Sequence, residues 1–324
     1  MNSAIANIWV LFDNKVGSNK QSLALAENLG GNIIIKNIKY TKFIKIPNFI
    51  RGSSLIGIDT KNSNDFSTDY PDIVIATGRR LASVLLHIKK HSKKTKIIAV
   101  LKPDLNLNKF DIVILPNHDN VHGKNIINFN GSLANFDKND IEKECKKWEE
   151  VFNNYKRPLV SILLGGDNKN KKFSPTKMKN FVEKIITAKN SVLITTSRRT
   201  SDECIESIKK SIESKSNVYF YDWKKNQGQD NPYTAMLWSA DFLVITGDSI
   251  SMIVESCTTG KPVYIYMPQE SLTEKHYLFC RQLVSQKIAM EFKNNSNLKN
   301  YKYKALDEIQ RVCKEIKNKL KICR

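Results

Sequence analysis

Residues 241–266 read DFLVITGDSISMIVESCTTGKPVYIY. After Asp241, residues 242–246 are an apolar, β-branched run ending at Thr246, the pattern of a strand buried on both faces. Gly247-Asp248-Ser249 then turns the chain, with Ser249 or Asp248 in position to cap a helix. Gly260-Lys261-Pro262 ends that helix, and residues 263–266 open a second strand too far along for a hairpin. Strand, turn, helix, strand is the unit of a parallel sheet with crossover helices. The unpaired N–H groups at such a helix entrance, around Ser251 and Met252, attract an anion, and a diphosphate suits the place. Glu255 follows Ser249 by six residues, on the entrance side of the helix, where a carboxylate is placed to accept hydrogen bonds from two ribose hydroxyls. A carboxylate on a solvated helix face would give the same sequence pattern, so other stretches have to separate the two readings.

Comparable β-branched runs occupy residues 5–12, 32–35, 72–76, 96–101 and 111–115, and then 159–164, 192–196 and 218–221. Helical periodicity fills most of the intervals. A charged stretch over residues 138–156, with Trp148, Val151 and Phe152 at helical spacing, separates the two series and stops at Arg157-Pro158. The expected fold is α/β, with two Rossmann-like doubly wound domains facing a cleft: residues 1–150, then residues 151–290. Residues 291–324 end in a basic amphipathic helix, with Leu306, Ile309, Val312, Ile316 and Leu320 on one face. Such a helix either lies on anionic lipid or docks on its own protein.

Other strand ends carry turns of the same kind. Gly165-Gly166-Asp167-Asn168-Lys169 lets the backbone approach a ligand closely and brings a lysine within reach of phosphate. Ser197-Arg198-Arg199 ends the next strand, and an arginine fork recognises phosphate bidentately. Gly78-Arg79-Arg80 repeats the arrangement in the first half, so four of the nine arginines sit at two such turns. Asn231-Pro232-Tyr233 opens a further helix. The opening strand leads through Asp13 into Gly17, Ser18 and Gln21, and the strand ending at Leu115 leads into His118 and Asp119. Asp13, His118 and Asp119 are the acid/base candidates.

Composition narrows the classes. The chain has 324 residues, 41% hydrophobic, enough for two cores, and the formal net charge of +20 points to anionic partners. Nucleic acid is not expected, because the lysines are dispersed and no recognition motif appears. The six cysteines form no C-x-x-C pair and no zinc spacing with histidine, so reduced thiols and no metal site are expected. The first twelve residues read as a strand and not as a signal peptide, and no apolar run is long enough to span a bilayer. A cytoplasmic location with peripheral contact to an anionic inner membrane face is expected.

Taken in order, residues 13–30, 76–80, 110–119, 164–167, 191–200, 231–233 and 246–263 resemble the family named after a plant mitochondrial-fission (elongated-mitochondria) protein. Its bacterial members are described as glycosyltransferases or nucleotide-sugar enzymes. The resemblance implies a GT-B-like architecture with the donor nucleotide on the second domain. In the wider GT-B group, which includes the lipid II-forming N-acetylglucosaminyltransferase, a glutamate on the matching helix binds the donor ribose, and this carries over to Glu255. The donor-site candidates are then Gly165, Gly166, Lys169, Ser197, Arg198, Arg199, Asn231, Tyr233, Gly247, Asp248, Ser249, Ser251, Met252 and Glu255. Gly17, Ser18, Gln21, Gly78, Arg79 and Arg80 are candidates for the acceptor side of the cleft. The family's first loop reads Pro-Gly-His before the Asn and Gln, whereas this chain has Val16-Gly17-Ser18. If that histidine is the base, either Asp13 replaces it or activity is reduced or lost. The expected function is a metal-independent glycosyltransferase, without cofactor, using a nucleotide diphosphate sugar and a cell-envelope glycan or lipid-linked acceptor. The alternatives are a non-catalytic adaptor and a hydrolysing two-domain nucleotide-sugar epimerase.

Overall fold

The computed structural model describes residues 6–130, 133, 138–168, 170–293 and 297–321, and for Val16 and His118 the backbone alone. The chain divides into two compact units, Met1–Asn135 with Asp307–Arg324, and Phe136–Leu306. Each is built on a six-stranded sheet in which every neighbouring pair is parallel. The two doubly wound α/β units match the strand spacing of the sequence.

In the first unit β1 (Asn7–Phe12), β2 (Asn32–Asn37), β3 (Ile73–Thr77), β4 (Lys96–Val100), β5 (Ile112–Pro116) and β6 (Ile126–Phe129) lie in the order β2-β1-β3-β4-β5-β6. Helices α1 (Val16–Leu29), α2 (Asn48–Arg51) and α3 (Arg79–His91) connect the first four strands. Alternate strand residues point to opposite faces. Ile8, Val10, Ile73 and Ile75 pack with Leu25 of α1, whereas Trp9, Leu11, Val74 and Ala76 pack with Leu81 and Leu85 of α3. This two-sided burial is why the strands read as continuous apolar runs.

In the second unit β7 (Leu159–Leu163), β8 (Ser191–Thr195), β9 (Val218–Tyr221), β10 (Phe242–Thr246), β11 (Val263–Tyr266) and β12 (Met290–Glu291) lie in the order β12-β11-β10-β7-β8-β9. Its helices are α4 (Lys138–Phe152), α5 (Pro175–Ile185), α6 (Asp202–Ile212), α7 (Tyr233–Ser239), α8 (Ile250–Thr258) and α9 (Glu274–Ser285). Ser174 caps α5 by accepting from the Lys177 N–H, with Pro175 in the first turn, as its sequence indicates. The five described cysteines are free thiols.

Two boundaries differ from the sequence expectation. Helix α4, read as the end of the first domain, belongs to the second unit, where Trp148, Val151 and Phe152 pack with Ala235 and Met236 of α7. Helix α10 (Glu308–Leu320) is part of the first unit and no separate element: Ile309, Val312, Cys313 and Ile316 are buried in its core. Glu308 Oε2 accepts from the Asn130 N–H at 2.7 Å, and Gln310 Nε2 donates to Asn28 Oδ1 of α1 at 2.5 Å. Of the two readings of this helix, docking on its own protein holds.

Each sheet has one place where successive strands begin to run in opposite directions across it. In the first it lies between β1 and β3, in the second between β7 and β10. Loops at the carboxyl ends of such a strand pair diverge to opposite faces and leave room for a ligand.

Candidate functional site

The loops after β7 and β10 are stapled together at the second switch point. The Gly165 N–H donates to Thr246 Oγ1 at 2.7 Å, and the Gly166 N–H donates to Asp248 Oδ2 at 2.7 Å. A Cβ on Gly165 would overlap the Asp248 carboxylate, and one on Gly166 would overlap the Arg199 carbonyl. Both glycines are therefore required by close approach of chain to chain, not only by approach to a ligand. Arg199 Nη2 reaches Asp248 Oδ2 at 3.0 Å, and its Nη1 reaches Asn168 Oδ1 at 2.5 Å. Burial pushes the Asp248 carboxyl up, against the Gly166 N–H and the Arg199 guanidinium, and its Oδ1 has no hydrogen-bond partner. Arg199, read in the sequence as half of a phosphate fork, is thus committed to Asp248. Asp248 serves the loops and does not cap α8.

In front of these loops opens a cavity of about 430 Å³. Ser197 and Arg198 form one wall; Asn231 and Tyr233, from the entrance of α7, form another; Ser249, Ser251, Met252 and Glu255 of α8 close the third. Ser249 leads into α8 without a side-chain cap bond, so the helix entrance is left to face the cavity. Tyr233 donates its hydroxyl to Glu255 Oε2. Burial, reinforced by the Glu255 carboxylate, pushes the Tyr233 phenol well above its ordinary value, so it remains a donor. Asn231 Oδ1 accepts from the Tyr233 N–H at 3.0 Å and fixes the start of α7.

Thr195, Thr196 and Trp223 also line this cavity, and the sequence reading had not assigned them. The Trp223 N–H donates to Thr196 Oγ1 at 2.9 Å, and Asp222 holds the turn by accepting from the N–H of Lys224 at 3.1 Å and from Lys209 Nζ at 2.6 Å. The signal was available: Asp222-Trp223 directly follows the run 218–221, at a strand's carboxyl end like the other turns.

At the first switch point Asp13 follows β1. Its Oδ1 accepts from the Lys15 N–H at 2.8 Å and its Oδ2 from the Tyr40 hydroxyl at 2.9 Å. Asn19 clasps the Asp13 backbone, donating to its carbonyl at 2.7 Å and accepting from its N–H at 3.1 Å. The Arg80 guanidinium lies 5.6 Å from the Tyr40 ring centre and donates to Asn14 Oδ1 at 3.4 Å. Tyr40, absent from the sequence reading, therefore links the Asp13 and Arg80 turns; burial and then Asp13 push its phenol up. Gly78 takes a φ of 87° to start α3, and Arg79 faces Asp104 at 3.8 Å. Gly17 is exposed, Ser18 is partly buried, and Gln21 holds a buried Oε1 with no hydrogen-bond partner. His118 lies in the 3-10 turn Asn117–Asp119, its side chain outside the described residues, as is all of Lys169.

The model of the family described as Mitochondrial fission ELM1 matches residues 16–320. The chain belongs to this family. A Rickettsia prowazekii protein designated RP120 is 30% identical, with 98% of this chain and 99% of that protein covered. Among solved structures, the UDP-GlcNAc 2-epimerase from Methanocaldococcus jannaschii has a TM-score of 0.53 at 12% identity, covering 96% of this chain and 99% of that one. A glycosyltransferase from Rickettsia africae has a TM-score of 0.50 at 12% identity, covering 99% and 89%. At such identities the likeness is one of fold, and the fold is GT-B-like.

In this mitochondrial-fission family member, then, the second unit holds a cavity with a helix entrance, a carboxylate and an arginine, and the first unit has, by itself, a carboxylate turn at its own switch point. Among the described residues no three His, Cys, Asp or Glu side chains gather into a metal-binding group, and no helix is long and apolar enough to cross a membrane.

Proposed function

We propose that the protein is a metal-independent glycosyltransferase moving a sugar from a nucleotide diphosphate sugar to a cell-envelope glycan or lipid-linked acceptor. The observation that carries this reading is Glu255, held by the Tyr233 hydroxyl on the wall of a cavity that also receives the uncapped entrance of α8. In this reading the ribose hydroxyls bond to Glu255, and the nucleobase lies against Trp223 and the turn at Thr196 and Ser197. The diphosphate takes the N–H groups around Ser251 and Met252, with the Ser249 hydroxyl and Arg198. Transfer breaks the bond between the anomeric carbon and the β-phosphate oxygen, and the electron pair leaves on the diphosphate. In this reading those donors stabilise the charge that develops on the oxygen. The acceptor oxygen forms the new bond and gives its proton to a base, for which Asp13 is proposed. No cofactor enters this scheme, and the protein is placed in the cytoplasm, peripheral on the inner membrane face.

The test is thermal unfolding with nucleoside diphosphates and nucleotide sugars, followed by product analysis by mass spectrometry. A ligand of the native state at 100 times its Kd adds about 2.7 kcal/mol. Stabilisation with glycosylated product supports the proposal, and a free epimerised sugar would instead make the protein a hydrolysing epimerase. Ser18 in place of the family histidine favours a second reading, a non-catalytic adaptor, which binding without any turnover would support.

A further inference from the structure

In the first unit, residues 28–58 carry five basic side chains, Lys36, Lys39, Lys42, Lys45 and Arg51, and no acidic one. The same stretch has its polarity inverted. In α2 the polar residues Asn48 and Arg51 are buried, while Phe49 and Ile50 are 79% and 61% exposed. Asn48 Nδ2 donates to the carbonyls of Arg79 and Pro103 at 2.6 and 2.7 Å. Arg51 donates to Ser83 Oγ at 2.6 Å and to the Ile56 carbonyl at 2.8 Å. These bonds fasten the short helix by its polar side and hold its apolar side outward.

Two neighbouring segments also expose apolar side chains. The Thr41 N–H donates to the Gly57 carbonyl at 3.0 Å, and Gly57 lies so close to the backbone of Phe43 and Ile44 that it has no room for a Cβ. Phe43 and Ile56, on these adjoining segments, are 54% and 48% exposed. Of the eight large hydrophobic side chains exposed among the described residues, six lie between residues 34 and 56. Single exposed apolar residues are ordinary, whereas a cluster of them marks a contact surface.

We propose that this face docks on an anionic lipid bilayer, with Phe43, Phe49, Ile50 and Ile56 entering the headgroup region and Lys39, Lys42 and Lys45 binding its negative charge. A bilayer supplies both halves of the match: apolar depth for the aromatic and branched side chains, and surface potential for the lysines. A second copy of the chain would oppose like charges across the same face. The acids at its rim are Asp104, beside Arg79, and Asp59, whose N–H donates to the Lys39 carbonyl. The inference is independent of the donor-site reading, and it moves the lipid contact away from α10, whose apolar face is buried.

The test is co-sedimentation of the full chain with vesicles of phosphatidylcholine alone and with a quarter phosphatidylglycerol, beside sedimentation velocity without lipid. The parent is expected to bind the anionic vesicles and not the neutral ones. Phe49→Ser/Ile50→Ser and Lys42→Glu/Lys45→Glu should each weaken that binding at least about tenfold, with unchanged thermal unfolding, since neither alters a buried group. Parent protein indifferent to anionic vesicles would overturn the proposal, as would variants that bind like the parent. So would a self-associating parent that Phe49→Ser/Ile50→Ser converts to monomer, which would give the face to a second copy.

Discussion

The carboxylate of Asp248 fills the space in which a side chain on Gly165 would stand. Through its Oδ2 it also takes the Gly166 N–H and the Arg199 guanidinium, so one buried acid joins three turns at the carboxyl ends of β7, β8 and β10. The start of α8, two residues on, is thereby fixed relative to the cavity before any ligand arrives. Preorganisation of this kind lowers the cost of ordering a site on binding.

Gly165→Ala has to displace Asp248 and is expected to cost about 1 to 3 kcal/mol of stability, the scale of overpacking in a closed interior. Denaturant unfolding reads this directly. Parent-like stability would show that the loops yield and that the staple is loose.

Arg198 and Arg199 are neighbours with opposite expected behaviour. Arg198 is exposed at the cavity, so Arg198→Ala should leave stability within about 0.5 kcal/mol and weaken nucleoside diphosphate binding about tenfold. Arg199→Ala leaves a fully buried carboxylate without its cation and should cost about 2 kcal/mol of stability, below the full cost of breaking a buried pair because Arg199 is 34% exposed. Unfolding curves and calorimetry on both variants separate the roles; a reversed pattern would make Arg199 the phosphate ligand.

Glu255→Ala should weaken nucleotide binding by about 1 to 3 kcal/mol, the range for hydrogen bonds to charged groups. Tyr233→Phe, which removes the hydroxyl from Glu255 Oε2 but keeps the carboxylate, should weaken it less. Unchanged affinity in Glu255→Ala would return that residue to an ordinary place on a helix surface.

The parallel-sheet architecture was legible because the inner strands of both sheets are buried on both faces, which leaves apolar runs such as 242–246 with no other location. Strands β6 and β12 escaped notice: one is four residues with Asn128 inside it, the other two residues at a sheet edge. The walls of the cavity were legible as turns at strand ends. What a sequence does not carry is partnership. Arg198 and Arg199 look alike in it, and only the fold assigns one to Asp248. Tyr40 stands 27 residues from Asp13 and is joined to it solely because β2 returns beside β1.

Asp222 gives a pH dependence. Burial opposes its ionisation, but Lys209 at 2.6 Å and the N–H groups of Lys225 and Lys224 outweigh that, and its carboxyl titrates below the ordinary aspartate value. The unfolded chain therefore takes up the proton first as pH falls. The stabilisation is fully present above the unfolded value, about 3.9, and is lost as pH drops through the folded one. Asp222→Asn should cost about 2 kcal/mol at neutral pH, and the gap to the parent should close below about pH 4. Urea unfolding across that range checks both the sign and the window.

Asp13 separates enzyme from adaptor. Its two oxygens accept from the Lys15 N–H and the Tyr40 hydroxyl, and a carboxylate has lone pairs left for an acceptor hydroxyl. Asp13→Asn keeps one acceptor oxygen for the Lys15 N–H but cannot take up a proton at neutral pH. Donor turnover should fall roughly 100-fold or more, the scale of general-base catalysis, with nucleotide affinity retained because the donor cavity is built wholly from the second unit. Tyr40→Phe removes the hydroxyl that holds Asp13 Oδ2 in place, so it should lower turnover while leaving nucleotide affinity unchanged. Equal turnover in Asp13→Asn would exclude Asp13 as the base. Absence of turnover in the parent, across donors that bind and a broad panel of acceptors, would leave a nucleotide-binding adaptor in which Ser18 marks the lost chemistry.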